Sequence, residues 1–251
     1  MDLELVDLLW EAENAMVFTG AGISTESGIP DFRGLSGVWT LKPELEKLFR
    51  ISVFTEQPEV RKKAWLLHKN ELAVEVSPNA GHYALAELEN LGKLQMLVTQ
   101  NVDGLHQAAG SQNVIELHGS LREAQCLNCA IRIPLKEVFA QMDQGEEDPH
   151  CSCGGIFKPA VVFFEEYLPE LAFNAAQKAA TECELLLAIG SSLQVFPAAS
   201  LVDIALNHEA KLAIINNAQT DYDPYSSWRS FDSAGAVLSQ TMKKLKTKAS
   251  S

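Results

Sequence analysis

The chain has 251 residues, 47% of them hydrophobic and 21% charged, with a formal net charge of −13 at pH 7. That composition suits a folded protein with one sizeable core and an excursion, or two small domains. The acidic balance excludes a surface built to meet phosphates, so no nucleic-acid partner is expected. No apolar run approaches the roughly 20 residues of a membrane helix, so no membrane partner is expected either.

Residues 1–10 carry Asp2, Glu4 and Asp7, the wrong charge for a signal peptide, and the expected location is cytoplasmic. Residues 3–13 predict an amphipathic helix, with Leu5, Leu8, Leu9 and Ala12 near a helical period. An apolar strand at 15–19 then stops at Gly20-Ala21-Gly22-Ile23-Ser24. Glycines after a first strand let backbone N–H groups approach a pyrophosphate, although the same turn can serve as a plain tight turn. Further on, Ile29 precedes Pro30-Asp31-Phe32-Arg33, an acid, an aromatic and a guanidinium that a plain surface loop does not need.

Residues 36–77 read as helical and charged, and helix 82–91 leads to a strand at 94–98. Thr99-Gln100-Asn101-Val102-Asp103-Gly104-Leu105-His106 follows that strand, at the sheet edge where ligands bind in open α/β folds. Gln100, Asn101 and Asp103 suit a ribose or a carboxamide; the plainer alternative is an Asn-Asp-Gly-type turn. Glu116-Leu117-His118-Gly119-Ser120 offers a histidine whose following glycine allows close approach, and a lone histidine is also compatible with a structural role.

Residues 123–155 hold four of the five cysteines as Cys126-x-x-Cys129 and Cys151-x-Cys153. Two thiolate pairs joined by a loop make a closed, structural zinc site. The second pair is one residue short, which leaves His150 open as a substitute ligand. Strands follow at 161–164, 185–189 and 212–215, with helices at 171–182 and 198–207 between them. Gly190-Ser191-Ser192 and Asn216 end two of these strands as Gly20 ends the first. Residues 243–251 look like a frayed polar tail. Strand–helix alternation of this kind predicts an α/β fold: a Rossmann-like doubly wound parallel sheet with a smaller inserted domain. The expected division puts 1–35, 78–122 and 158–251 in the sheet domain, 36–77 in a helical insert and 123–157 in a zinc module.

In order and over nearly the whole length, these motifs resemble the sirtuin family of NAD-dependent protein deacylases. The resemblance implies NAD as co-substrate and a structural zinc held by Cys126, Cys129, Cys151 and Cys153. NAD would lie over Gly20, Ala21 and Gly22, with Gly190, Ser191, Ser192 and Asn216 toward its adenosine half. Ser24, Ile29, Asp31, Asn101, Val102 and Asp103 would form the nicotinamide pocket, with Phe32, Arg33 and Gln100 also contacting the cofactor.

His118 would be the general base, assisted by Asn101 and Asp103, and the products would be free lysine, nicotinamide and O-acyl-ADP-ribose. Val161, Phe163, Phe164 and Glu165 would meet an acylated-lysine peptide or protein, to whose basic segments an acidic surface is suited. Two departures stand out. Glu165 replaces the family's usual glycine, and Trp65 and His68 stand where relatives that remove acidic acyl groups carry tyrosine and arginine. Acetyl or another neutral acyl group is therefore expected. Mono-ADP-ribosyl transfer or NAD hydrolysis is the alternative for the same pocket.

Overall fold

The computed structural model describes residues 4–31, 37–72 and 76–249; Phe32 and Arg33 lie outside them. In chain order, α1 (Leu5–Glu11) precedes β1 (Ala15–Thr19), and a 3-10 turn follows at Ala21–Ser27. The helical insert contains α2 (Val38–Leu41), a 3-10 turn (Pro43–Phe49), α3 (Ile51–Glu56), α4 (Pro58–Leu67) and a π-helical turn (His68–Leu72). Next come α5 (Ala80–Asn90), β2 (Met96–Thr99), α6 (Leu105–Ala108) and β3 (Val114–Glu116). The cysteine segment forms β4 (Gly119–Cys126), β5 (Arg132–Pro134), α7 (Leu135–Asp143) and β6 (Phe157–Val161). The chain closes with α8 (Glu170–Glu182), β7 (Leu185–Ile189), α9 (Ser200–Asn207), β8 (Lys211–Ile215), β9 (Trp228–Ser230) and α10 (Ala234–Ala249).

Six strands pair in the order β3-β2-β1-β7-β8-β9, all parallel. The residues themselves explain the layering. Successive side chains of a strand point to opposite faces, and here both faces are apolar. Ala15, Val17, Leu185, Leu187 and Ile189 pack with α1, α5 and α10. Met16, Phe18, Leu186 and Ala188 pack on the other side with α8 and α9. Burial on both faces is why these strands read as continuous apolar runs instead of alternating ones. A third core joins the insert, through Phe54, Ala64 and Trp65, to the cysteine segment, through Ala124, Leu135, Val138 and Phe157.

Three expectations need correction. The apolar run at 161–164 is not a strand of the parallel sheet. The strand is β6, ending at Val161, and it lies in a separate antiparallel sheet of order β5-β4-β6. A short apolar run signals burial without naming the partner, and here the partner is β4. The run at 94–98 pairs two residues later than expected, over Met96–Thr99. The polar tail is helical through Ala249: Lys244 and Lys248 of α10 pair with Glu4 and Asp7, and its apolar side joins the first core.

Candidate functional site

The strand order reverses between β1 and β7, and a crevice opens where they end. Three glycines make that crossing possible. A Cβ on Gly20 would lie 2.7 Å from the Gly190 carbonyl oxygen, one on Gly22 2.6 Å from the Gly190 Cα, and one on Gly190 2.3 Å from the Ile23 nitrogen. Gly190 also has φ +60°, a conformation that side chains disfavour. The backbones touch here, as the hydrogen bond from Gly22 N–H to Gly190 O (2.8 Å) records. A glycine cradle at a switch point fits a dinucleotide's pyrophosphate.

Beside the cradle, Ser24, Asn101 and Asp103 form one hydrogen-bonded set. Asn101 Nδ2 donates to the Gly20 carbonyl (3.2 Å) and to Ser24 Oγ (3.1 Å), and Ser24 Oγ donates to Asp103 Oδ2 (2.7 Å). The other Asp103 oxygen accepts Leu105 N–H at the start of α6 (2.9 Å), so the carboxylate is held from two sides. Ile29 is tied in through its N–H to Ser24 O (3.3 Å), and Asp31 is half-buried at the edge of the described segment.

Gln100 joins the pieces. Its Nε2 donates to Ser191 Oγ (2.9 Å), and its carbonyl accepts from His118 Nδ1 (2.9 Å). A carbonyl can only accept, so Nδ1 carries the hydrogen and Nε2 is the acceptor nitrogen of a neutral His118. His118 is half-buried, and its own carbonyl accepts Val162 N–H (2.8 Å). Gly119 has φ +76°, and a Cβ there would reach 2.1 Å from the Ala160 carbonyl oxygen, so this crossing of β4 and β6 requires glycine. Val102 O is held by Leu121 N–H (2.9 Å). Gly190 N–H donates to Ile215 O (2.8 Å), so β7 and β8 end side by side and Asn216 follows level with Gly190, its side chain turned back to Ala218 O (2.8 Å); Ser192 is half-buried.

Sequence reasoning missed a second layer beneath this set. His82 caps α5, where its Nδ1 accepts Asn79 N–H (3.3 Å), which directs Nε2–H toward Ser24 Oγ (3.5 Å). His106 Nε2 meets Thr19 Oγ1 (3.0 Å), Thr19 Oγ1 donates to Thr99 Oγ1 (2.8 Å), and Thr99 Oγ1 accepts Asn101 N–H (3.0 Å). The two imidazoles stand 4.8 Å apart. Burial, with the neighbouring His82 as a smaller cause, pushes His106 down to about 3. A cue existed: His106 follows two residues behind Asp103-Gly104.

His68 is likewise pushed to about 3, by burial first and then by the Lys158 ammonium. It stacks on Phe163, with ring centroids 6.3 Å apart, and neither of its ring nitrogens has a partner among the described residues. Both histidines are neutral when folded, whereas the unfolded value is 6.5. Between about pH 3 and 6.5 the unfolded chain therefore binds more protons, and stability rises with pH. It is complete above 6.5 and is lost as pH falls toward 3, at up to about 1.4 kcal/mol per pH unit for each histidine. Melting temperature against pH checks this, and His68→Phe is expected to flatten the curve by one proton. An unchanged slope in that variant would refute the assignment.

The four cysteine sulfurs lie within 4.8 Å of one another, with Cys126–Cys153 at 3.5 Å and Cys129–Cys151 at 3.7 Å. Sulfurs bound at about 2.3 Å around tetrahedral zinc are spaced by about 3.8 Å, so the set fits that ion. Gly155 N–H and Asn128 Nδ2 donate to Cys153 Sγ, hydrogen bonds that stabilise the thiolate a metal needs at that position. His150 lies outside the cluster, with Nδ1 on the Asp148 carbonyl.

Of the expected peptide contacts, Val161 and Phe163 are buried in the third core, Phe164 is half-buried and Glu165 is exposed. Behind them Lys158 Nζ bridges Val161 O and Glu166 (2.8 Å), and Glu166 also accepts Phe163 N–H (2.7 Å).

Residues 20–197 match the Sir2 family. An NAD-dependent protein deacetylase 1 from Pyrobaculum aerophilum is 46% identical over 246 residues, covering 97% of this chain and 94% of the relative. Among solved structures, a Sir2 protein with a deacetylated p53 peptide and 3'-O-acetyl-ADP-ribose superposes with TM-score 0.89 at 34% identity, over 96% of this chain and 98% of that one. A Sir2–p53 peptide–NAD+ structure gives TM-score 0.86 at 34% identity, over 96% and 97%.

Proposed function

The chain belongs to the Sir2 family, and from that premise we propose that it removes acetyl groups from protein lysines, consuming NAD and releasing nicotinamide and O-acetyl-ADP-ribose. The observation that carries the reading is the linkage through Gln100 of the glycine cradle's rim, at Ser191, to the oriented imidazole of His118. NAD supplies a ribose C1′ that becomes electrophilic as nicotinamide departs.

The chain's residues divide the remaining work. Asn101, Ser24 and Asp103 form a pre-set polar wall whose carboxylate stabilises positive charge developing nearby without reorganising. His118 Nε2 takes the proton that must leave a ribose hydroxyl before it can accept the acyl group. Gly20, Ala21, Gly22, Gly190, Ser191, Ser192 and Asn216 hold the dinucleotide, with Ile29, Asp31, Phe32, Arg33, Gln100 and Val102 completing its surroundings. Val161, Phe163, Phe164 and Glu165 receive the peptide. We divide the chain into a sheet domain (1–35, 78–122, 158–251), a helical insert (36–77) and a zinc module (123–157), and place it in the cytoplasm, where thiols reserved for a metal stay reduced.

His68, buried and neutral, offers an acyl carboxylate no counter-charge, which supports acetyl over acidic acyl groups. Mass spectrometry of products from NAD and matched acetyl- and succinyl-lysine peptides tests both points. O-acetyl-ADP-ribose and faster deacetylation are expected. ADP-ribose without peptide turnover would overturn the deacetylase reading in favour of NAD hydrolysis, and faster desuccinylation would overturn the acyl preference.

A further inference from the structure

Glu165 is a non-glycine residue with φ +75°, in the left-handed region that an L side chain enters only under constraint. The constraint is visible. Its carboxylate accepts Ser52 Oγ–H (2.6 Å) and Ser52 N–H (3.3 Å) and pairs with Arg50 Nη1 (3.3 Å). One residue earlier, Phe164 N–H donates to Phe49 O (2.8 Å) and Ile51 N–H donates to Phe164 O (3.2 Å). Consecutive residues of the 163–166 segment are thus stitched to residues 49–52 of the insert. Toward the other side, Val162 N–H holds the His118 carbonyl. The segment therefore spans from the catalytic histidine's backbone to the helical insert.

We propose that Glu165 is a positioning residue, whose clasp on Ser52 and Arg50 holds this segment against the helical insert in the conformation that receives the substrate backbone. The inference rests on the reading of 161–165 as the peptide contact. Because the Arg50 and Glu165 side chains are 45% and 39% exposed, their pairing adds little to global stability. Its effect falls on where the segment sits.

Steady-state kinetics with NAD and an acetyl-lysine peptide test the clasp in the full-length protein. Glu165→Gly removes the carboxylate and relieves the backbone, so this variant is expected to fold. It should raise the peptide KM at least about fivefold, the loss of several hydrogen bonds to one charged group. The NAD KM and kcat should change less than twofold. Ser52→Ala should act in the same direction, and the double variant should be no worse than Glu165→Gly alone, since both break one contact. A peptide KM unchanged in Glu165→Gly, or an equal rise in the NAD KM, overturns the proposal. Amide hydrogen exchange at Ile51 and Phe164 tests the clasp even if no peptide is turned over: protection should drop in Glu165→Gly, and equal protection overturns it. Failure of the wild type to form O-acetyl-ADP-ribose would instead count against the deacetylase reading.

Discussion

His118→Ala is expected to lower deacetylation by about 10²–10⁴-fold, the range that a positioned general base contributes, while NAD still binds. The magnitude follows from how completely the ring is oriented. Its Nδ1–H is committed to the Gln100 carbonyl at 2.9 Å, so one tautomer is selected and Nε2 remains as the acceptor. The cradle and the Ser24–Asn101–Asp103 set do not use the imidazole, and its loss leaves them intact. The measurement is O-acetyl-ADP-ribose yield by mass spectrometry beside NAD affinity by calorimetry. A variant keeping more than about a tenth of wild-type turnover would remove His118 from the role of base. A variant that no longer bound NAD would make the histidine a structural prop of the crevice.

The parallel sheet was legible because its strands are buried on both faces: 15–19 and 185–189 coincide with β1 and β7 as apolar runs bounded by glycines. The edge strands β3 and β9, three residues each, carry too little apolar run to register. Helix α10 was hidden for a different reason. Its last turns are polar, and they are held by ion pairs to Glu4 and to Asp7 of α1, more than 200 residues away in sequence, which no local pattern encodes. In the site, motif residues were legible as types at strand ends, but their linkage was not. Gln100 serves Ser191 with its side chain and His118 with its backbone, a division that appears only once the four strands β3-β2-β1-β7 are side by side. The His82–His106 layer escaped notice because a buried neutral histidine looks, in sequence, like any helix residue.

Loss of zinc is expected to have the other large effect, and a local one. Structural zinc contributes about 10–16 kcal/mol to small zinc-binding peptides, comparable to the whole stability of a typical domain, about 5–15 kcal/mol. Yet the cores on the two faces of the parallel sheet contain none of the four ligands, whereas the third core contains Cys126 and Cys151. That core also holds Phe54 and Trp65 of the insert, and Arg61 of α4 makes two hydrogen bonds of 2.6 Å to Asp148 of the cysteine segment. Unfolding the module therefore withdraws the support of the insert and of β6, and with β6 the Val162 N–H that holds the backbone of His118. Cys129 is the discriminating position, because it is exposed and its truncation removes a ligand with little packing. Cys129→Ala should lose bound zinc by atomic emission, become cleavable by protease within 123–157 and lose deacetylation, while the parallel-sheet region resists digestion. Full activity in a zinc-free Cys129→Ala protein would detach the metal from the site. Global unfolding would show instead that the sheet cores cannot stand without the module.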